Sequence, residues 1–444
     1  MFNPSTVSLH EPGSTSYARF SHPTKRTLLA EIFRKTAFAP CIWVLSVALR
    51  VLSAVAIVTE FHQPERYIDL VMPRKLVLHF DVNETIMVGD PASKVDFDGS
   101  LNNILAKAAF LSEDKASWHD GSPLDLAQRN STMPPLRTSF DVKGLRCYEA
   151  NRGNASWPSS RFTECGPGRV YRPLFEELKE ELRWKHEEDP RLAPEGHHFL
   201  LPAFFHTLKE LAERRDVSVV IRTFGTDLPE VATSIQAFAA GEHPDFPGSY
   251  NRFYLASKEA LWGLRRVDRG DVQSPLVLRR YVRSLGTEGW GDVSDVSDPV
   301  DYVAECGPDH KIDELLSSRD IIGVRDDYHH WREQRFLPAS GKPMWITLDE
   351  DVHHIFFDDN IHNKVNDSIV ALRARRSSSE AFHCVSGEAT RGLEGVFLVK
   401  AHAVPGLHAV FHFLYSTLLH IHLQISSCLF YLVFCLMHEL ALNV

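Results

Sequence analysis

The sequence lacks several signatures that would assign a protein to a common functional class. It contains seven cysteines but no Cys-x-x-Cys pair, so neither a zinc ribbon nor a thioredoxin-type redox site is indicated. It has no glycine-rich phosphate loop and no His-Glu-x-x-His motif, which argues against a P-loop nucleotide-binding protein and a zincin-type metalloprotease. It also lacks an excess of basic residues. The net charge of -10 argues against a nucleic-acid-binding protein, which normally presents a basic surface.

The length and composition are those of an ordinary globular protein. The chain has 444 residues, enough for one large α/β domain with insertions or for two domains. The odd number and wide spacing of the cysteines favour reduced thiols over a disulfide framework. These features bound the size and class of the protein, and the compartment in which it works is left open.

The N-terminal segment, residues 1–71, combines a polar start with an apolar run over residues 36–59 that Arg50 interrupts. Three interpretations stay open for it. The run is a signal anchor with a basic flank, or part of an Arg-containing transit segment, or a stretch upstream of a true translation start at Met72. In each case we expect the folded domain to begin near residue 72.

The C-terminal segment, residues 401–444, is a hydrophobic tail. Between Ala401 and His438 it contains no Asp, Glu, Lys or Arg, and the run over residues 407–438 is long enough for a transmembrane helix. The six histidines from Ala401 to His438 are unusual for a helix that faces lipid. A buried terminal helix is therefore the alternative interpretation.

Three apolar runs in the central part of the chain each end in polar side chains that can carry chemistry. The run over 75–81 ends in Asp81, the run over 217–223 ends in Thr223, and the run over 352–359 ends in Asp358 and Asp359. Helical patterns alternate with these runs, which is typical of a parallel sheet that is covered on both faces. Because parallel strands end at one edge of a sheet, we expect these side chains to surround one divalent cation and one phosphate group.

Two long segments interrupt this alternation of strands and helices. Residues 89–198 are polar and irregular, and we interpret them as a loop-rich cap inserted after the first strand. Residues 268–318 are interpreted as a second insertion before the acidic strand. The predicted architecture is an α/β domain with a Rossmann-like parallel sheet and cap insertions over residues 72–400.

The polar strand ends resemble the signatures of the haloacid-dehalogenase-like (HAD) hydrolases. HFDVNET resembles the first signature, an aspartate nucleophile that ends a strand, IRTFGTD resembles the second, and IFFDDN resembles the fourth, an acidic pair. The third signature is a lysine, for which we choose Lys342, sixteen positions before Asp358, with Lys311 as the alternative. The resemblance covers roughly residues 72–400 and implies a HAD-like fold.

The resemblance implies a role for each residue. Asp81 would attack phosphorus and form an aspartyl phosphate, Thr223 would donate a hydrogen bond to the phosphoryl group, and Lys342 would offset negative charge. The implied cofactor is Mg²⁺, which favours oxygen ligands in octahedral geometry. Its implied ligands are Asp81, the backbone carbonyl of Asn83, Asp358 and Asp359.

Asn83 departs from the pattern of the family. Phosphatases of this family usually have a second Asp at that position, which protonates the leaving group, and an amide cannot do so. General acid–base catalysis typically contributes about 10²–10⁴-fold, so we expect slow hydrolysis or transfer. The alternative is a catalytically inactive binding or scaffolding protein on the same fold. The expected partner is a phosphorylated small molecule or a phosphoprotein, with membrane attachment through residues 36–59 or 407–438 also open.

Overall fold

The computed structural model describes residues 75–89, 94–113, 117–124, 133–134, 158–255, 260–268, 275–280, 309–347, 352–361, 368–385, 390, 393 and 397–401. All of them belong to one compact unit, Val71–Val444. The apolar segments at residues 36–59 and 407–438, and most of the tail from residue 401, lie outside the described residues. Within the described ranges, no helix is both long enough and apolar enough to cross a membrane.

The described residues form ten strands and six α-helices. The strands are β1 (Lys75–Asp81), β2 (Val217–Thr223), β3 (Leu261–Arg266), β4 (Leu276–Arg280), β5 (Ile321–Arg325), β6 (Lys342–Thr347), β7 (Val352–Asp358), β8 (Val370–Arg375), β9 (His383–Cys384) and β10 (Leu398–Lys400). The helices are α1 (Phe97–Ala108), α2 (Arg172–Glu181), α3 (Pro202–Leu211), α4 (Leu228–Ala239), α5 (Asp309–Ser318) and α6 (Tyr328–Glu333).

Seven strands form a central sheet in the order β10-β7-β1-β2-β5-β3-β4. All neighbouring pairs are parallel except β3 and β4, which are antiparallel. The predicted α/β class with a mostly parallel central sheet is therefore confirmed. A smaller sheet, in the order β6-β8-β9, contains the remaining three strands.

The strands of the central sheet are covered on both faces. Leu78 and Phe80 of β1 pack in one hydrophobic cluster, with side chains from α3 and α4, whereas Val77 packs in another, with Ile312 and Leu316 of α5. Successive side chains of a strand point to opposite faces, so a strand buried on both faces is apolar at almost every position. For this reason, the sequences of β1 and β2 are nearly continuous apolar runs.

The order of the strands determines where a site can form. The chain proceeds from β1 to β2 and β5 on one side, while β7 and β10 lie on the other side of β1. Phe80 pairs with Phe357 and Asp81 pairs with Arg222, so the carboxyl ends of β7, β1 and β2 are level with one another. The point where strand order reverses, outside the carboxyl ends of parallel strands, is where α/β proteins usually bind ligands.

The two segments expected as insertions differ in their relation to the sheet. The described part of residues 89–198 has a hydrophobic cluster of its own, built from α1, α2 and the aromatic residues Trp118, Phe162 and Tyr171. The segment 268–318 contains β4 and α5, and β4 extends the central sheet by pairing with β3. That part of the second segment therefore belongs to the sheet.

The aromatic packing beneath β1 yields a prediction about stability. Phe204 of α3 is 1% exposed and contacts Phe80 edge to face at 5.6 Å. We expect Phe204→Ala to lower the free energy of unfolding by about 3–5 kcal/mol, because it removes a buried ring and leaves a cavity. Urea denaturation measures this loss. The control is Val267→Ala at a side chain that is 67% exposed, with an expected change within about 0.5 kcal/mol, and equal losses in the two variants would contradict this packing.

Candidate functional site

The carboxyl edge of the central sheet brings together the polar ends of β1, β2 and β7. Asp81, Asp358 and Asp359 are buried there, and one carboxylate oxygen of each lies within 4.8 Å of the others. Thr223 ends the neighbouring strand β2 and is fully buried. The structure thus places the acidic residues singled out from the sequence in one cluster, with the threonine on the adjoining strand.

Lys342 links two of these carboxylates. Its ammonium donates to Asp81 Oδ1 and, at 2.8 Å, to Asp358 Oδ2, and the residue is 1% exposed. Lys342 is the first residue of β6. Lys311, the alternative, lies exposed on α5.

Gly341 positions Lys342 through its lack of a side chain. A Cβ added to Gly341 would lie 2.0 Å from the backbone oxygen of Ile369. The same oxygen accepts a 2.7 Å hydrogen bond from Lys342 N–H. The close approach fixes the start of β6 against β8, so that the lysine side chain extends from the smaller sheet to the carboxylates of the central sheet.

The turn after β1 orients the second carboxylate oxygen of Asp81 and contacts the backbone of Asp359. Thr85 Oγ1 donates to Asp81 Oδ2 at 3.3 Å and accepts from Asp359 N–H at 3.2 Å. Glu84 adopts a φ of 56°, which is unusual for a residue other than glycine and marks a constrained turn. Both oxygens of Asp81 are therefore oriented, one by Lys342 and the other by Thr85.

A second lysine reaches the cluster from the segment that was expected to form the cap. Lys107, in the last turn of α1, forms ion pairs with Glu84 and Asp359. Burial lowers the pKa of its ammonium, but the attraction of Asp359 and Glu84 outweighs burial and the pKa is raised. Sequence reasoning missed Lys107 because nothing in its local pattern separates it from a lysine on a solvated helix.

Asp227 is another residue that the sequence did not assign to the site. Asp227 is the N-cap residue of α4, but its side chain makes no capping hydrogen bond there. Instead it accepts hydrogen bonds from Asn83 Nδ2 at 2.7 Å and from Thr223 Oγ1 at 2.9 Å. Thr223 Oγ1 in turn accepts from Gly225 N–H at 2.8 Å. Asn83 and Thr223 are thus joined through Asp227, beside the acidic cluster.

The pKa values of two carboxyl groups in the cluster, those of Asp81 and Asp358, are raised. Burial, reinforced by the charge of Asp358, raises the pKa of Asp81 well above its usual range, and burial also raises the pKa of Asp358. Lys342 opposes both shifts without cancelling them. Burial lowers its own pKa, but Asp358 and Asp81 raise it by more, so the lysine stays charged.

The charges of the cluster do not balance. The ion-paired group contains four carboxyl groups and two ammonium groups, contributed by Asp81, Glu84, Asp358, Asp359, Lys107 and Lys342. When all are ionised, two negative charges remain, which one divalent cation would neutralise. Neighbouring ligands of an octahedral Mg²⁺ are about 3 Å apart and opposite ligands about 4.2 Å apart, so these three oxygens, within 4.8 Å of one another, would have to move closer together to bind it.

A buried polar network supports the site from within the sheet. Arg222 of β2 forms an ion pair with Asp326 and also contacts His79 Nδ1 at 3.2 Å, while His79 Nε2 lies 3.0 Å from His354 Nδ1. Burial, followed by the charge of Arg222, holds the pKa of His79 well below its usual range. His79 and His354 therefore act in packing and hydrogen bonding.

An open cleft lies beside the turn that follows β1. It encloses about 630 Å³ and is lined mainly by apolar side chains. Met87, Val88 and Phe97 form one part of the lining, and Pro194 and His198 are among the residues that form another. The cleft therefore lies between the turn that carries Met87 and Val88 and the end of the segment 89–198.

The unbalanced cluster yields a prediction for Lys342→Met. In metal-free buffer we expect a loss of about 3–5 kcal/mol in the free energy of unfolding, because the change leaves buried carboxylates unpaired. The loss should be larger at pH 8 than at pH 5. Carboxyl groups with raised pKa values are protonated at low pH, and the stability from that protonation is lost as the pH rises through the raised values.

Urea denaturation at the two pH values, with a metal chelator present, measures this effect. The control is Lys311→Met on the exposed face of α5, for which we expect a change within about 0.5 kcal/mol at either pH. A loss that is the same at both pH values would mean that Lys342 contributes through packing and not by neutralising the carboxylates.

Comparisons with known proteins leave the family of this chain open. No family model matches the sequence, and neither the curated proteins nor the solved structures include a significant match. Functional conclusions therefore depend on the geometry of this chain's own side chains.

Proposed function

We propose that this chain is a HAD-like, Mg²⁺-dependent phosphoryl hydrolase or transferase that works through an aspartyl phosphate on Asp81. One observation carries the proposal. A nucleophile-type carboxylate at the end of a central strand shares a buried lysine, Lys342, with the acidic end of the adjacent strand. A purely structural ion pair would have balanced charges, whereas this cluster contains two more carboxyl groups than ammonium groups.

Asp81 is suited to nucleophilic attack by its position and its hydrogen bonds. A carboxylate oxygen would attack phosphorus, the bond from phosphorus to the leaving-group oxygen would break, and that oxygen would need a proton. For hydrolysis, water would then attack the phosphorus of the aspartyl phosphate and release Asp81 as a carboxylate. Lys342 and a bound cation would together favour the ionised form of Asp81 against the effect of burial, and Thr85 would fix the orientation of the carboxylate.

The residues present fit a hard divalent cation. Asp81, Asp358 and Asp359 offer buried oxygens, and the backbone carbonyl of Asn83 is the fourth ligand that the resemblance implies. An all-oxygen ligand set suits Mg²⁺, and the ion would neutralise the two negative charges that remain when all six ion-paired residues are ionised. When bound, the ion would neutralise the repulsion between Asp81 and a phosphate group.

Asn83 explains why we propose slow turnover. Its amide donates to Asp227, so its side chain is held in place, but it has no proton that it can give to a leaving group. Asp227 acts as a positioning residue that orients Asn83 and Thr223. Phosphate esters with good leaving groups need little proton transfer, and they are therefore the expected substrates.

The chemical class of the partner follows from the cleft and from the inserted segment. We propose that residues 89–198 act as a cap, with Lys107 connecting α1 to the acidic cluster through Glu84 and Asp359. The apolar cleft beside Met87 would accommodate the part of a phosphorylated small molecule, or of a phosphoprotein, that is not phosphate. Attachment to a membrane through residues 36–59 or 407–438 stays a prediction from the sequence.

The second candidate function is a catalytically inactive binding or scaffolding protein on the same fold. Asn83 favours it, because the position that usually carries the acid–base carboxylate holds an amide. Mg²⁺ binding by the acidic cluster is common to both candidates. Turnover of a phosphate ester distinguishes the catalytic candidate from the inactive one.

We expect turnover of p-nitrophenyl phosphate by the full chain to require Mg²⁺ and to be lost in Asp81→Asn. The asparagine has nearly the shape of aspartate but is not a nucleophile for phosphorus. A chelator should abolish the activity and added Mg²⁺ should restore it, as measured by release of p-nitrophenol. Glu333→Gln, at an exposed acid on α6, is the control that should retain full activity. Undiminished turnover in Asp81→Asn would exclude Asp81 as the nucleophile.

We expect Asn83→Asp to accelerate hydrolysis of esters with poor leaving groups. The new carboxyl group would lie beside Asp227, and two adjacent carboxyl groups share a proton, so one of them can act as a general acid near neutral pH. The expected gain in kcat is on the order of 10²-fold or more for an alkyl phosphate, with a smaller gain for p-nitrophenyl phosphate. The matched control is Asn83→Ala, which should show no gain. Equal rates for the two variants would contradict this explanation of slow turnover.

A further inference from the structure

A second group of metal-ligating side chains lies away from the acidic cluster. It consists of His198, His243 and Asp245, and one ligand atom of each lies within 4.8 Å of the others. His198 directly follows His197, which forms an isolated antiparallel β-bridge with Arg183 near the end of the segment 89–198. His243 and Asp245 lie in the loop after α4. The group therefore joins two parts of the chain that are distant in sequence.

Both histidines are buried with a ring nitrogen that lacks a partner. His243 is 1% exposed and His198 is 9% exposed, and His243 Nε2 and His198 Nδ1 have no hydrogen-bond partner among the described residues. Asp245 N–H donates to His243 Nδ1 over a long 3.3 Å. Coordination through either nitrogen of His243 would replace only that weak contact.

Aromatic side chains and one further histidine shape the group. The indole of Trp184 packs edge-on against the rings of His198 and His243, with centroids 5.0 Å and 5.6 Å away. His186 Nε2 lies 2.7 Å from Asp245 Oδ1, while Asp245 Oδ2 lies 3.9 Å from His198 Nε2. One carboxylate oxygen is therefore held by His186, and the other faces the buried histidines.

The charge state of the histidines favours a cation. Burial, despite the nearby charge of Asp245, lowers the pKa of His198 and of His243 to about 4, so both rings are neutral at pH 7. A neutral imidazole is the form that binds a metal. Asp189 also faces His243, whereas Lys185 and the rings of His186 and His197 are the nearby groups that oppose a positive charge.

We propose that His198, His243 and Asp245 form a site for one first-row transition-metal ion of the Zn²⁺ type. Two imidazoles and a carboxylate suit Zn²⁺, whereas Mg²⁺ prefers oxygen ligands only. Ligand atoms of a tetrahedral zinc with bonds of about 2.0–2.1 Å lie roughly 3.4 Å apart, so the 3.9 Å separation has to shrink by about half an ångström. Three protein ligands leave one position open, on the side of the half-exposed Asp245.

The ion would connect the inserted segment to the core of the sheet domain. His198 lines the cleft beside β1, and its backbone N–H bonds to Leu182 at the end of α2, whereas His243 packs against Phe205 of α3. Coordination would therefore fix one wall of the cleft. This inference does not depend on the proposed phosphoryl chemistry, because the two groups share no residue.

Competition of the full chain with a chromophoric zinc chelator, in millimolar Mg²⁺, tests the proposal. We expect one tight equivalent of Zn²⁺ in the wild type and in Asp81→Asn, and its loss in His243→Gln and in Asp245→Asn. Asp245→Asn changes a partly exposed side chain and should leave the fold intact. His186→Gln should weaken binding by about 10–100-fold, since it removes the group that orients the carboxylate.

His197→Gln is the matched control, because it changes the adjacent histidine, which stacks on Phe97 and is outside the group. Zinc should raise the melting temperature of the wild type and of this control but not that of Asp245→Asn. If His243→Gln and Asp245→Asn retain the tight equivalent, other histidines hold the ion and the proposal is overturned. No tight zinc in the wild type would overturn it as well.

Discussion

The ammonium of Lys342, buried between Asp81 and Asp358, is the contact on which the rest of the site depends. Without it, two acidic strand ends would face each other in a region of low dielectric, where like charges repel strongly. The lysine starts β6, so the contact also joins the smaller sheet to the central sheet. The position of β6 in turn requires Gly341, because a side chain there would collide with the backbone of β8.

Charge imbalance distinguishes this cluster from an ordinary buried ion pair. Buried pairs in stable proteins are neutralised locally, since an uncompensated charge in the interior is strongly destabilising. Here the excess negative charge is met by raised pKa values of Asp81 and Asp358 or by a cation. Lys107 adds a connection to α1, so two ion pairs join the segment 89–198 to the cluster.

The interactions of Asn83 differ from those of the carboxylates around it. Its amide donates to Asp227, and Thr223 is held by the same carboxylate. The hydrogen-bonded group of Asn83, Thr223 and Asp227 therefore forms a second layer beside the acidic cluster. Under the proposed function, this arrangement preserves the binding of a cation and a phosphate while it removes the acid that would protonate the leaving group.

The sequence by itself determined the class of the fold and the positions of the strands β1, β2 and β7, because continuous apolar runs that end in polar residues are a local signal. It also predicted Lys342 by its spacing, but not the strand that holds it. Only the tertiary structure decided the partners of Lys107, Asp227 and His243, and it placed β4 within the sheet. These contacts join residues far apart in the chain, 252 positions apart for Lys107 and Asp359, and local periodicity carries no information about which distant segments meet.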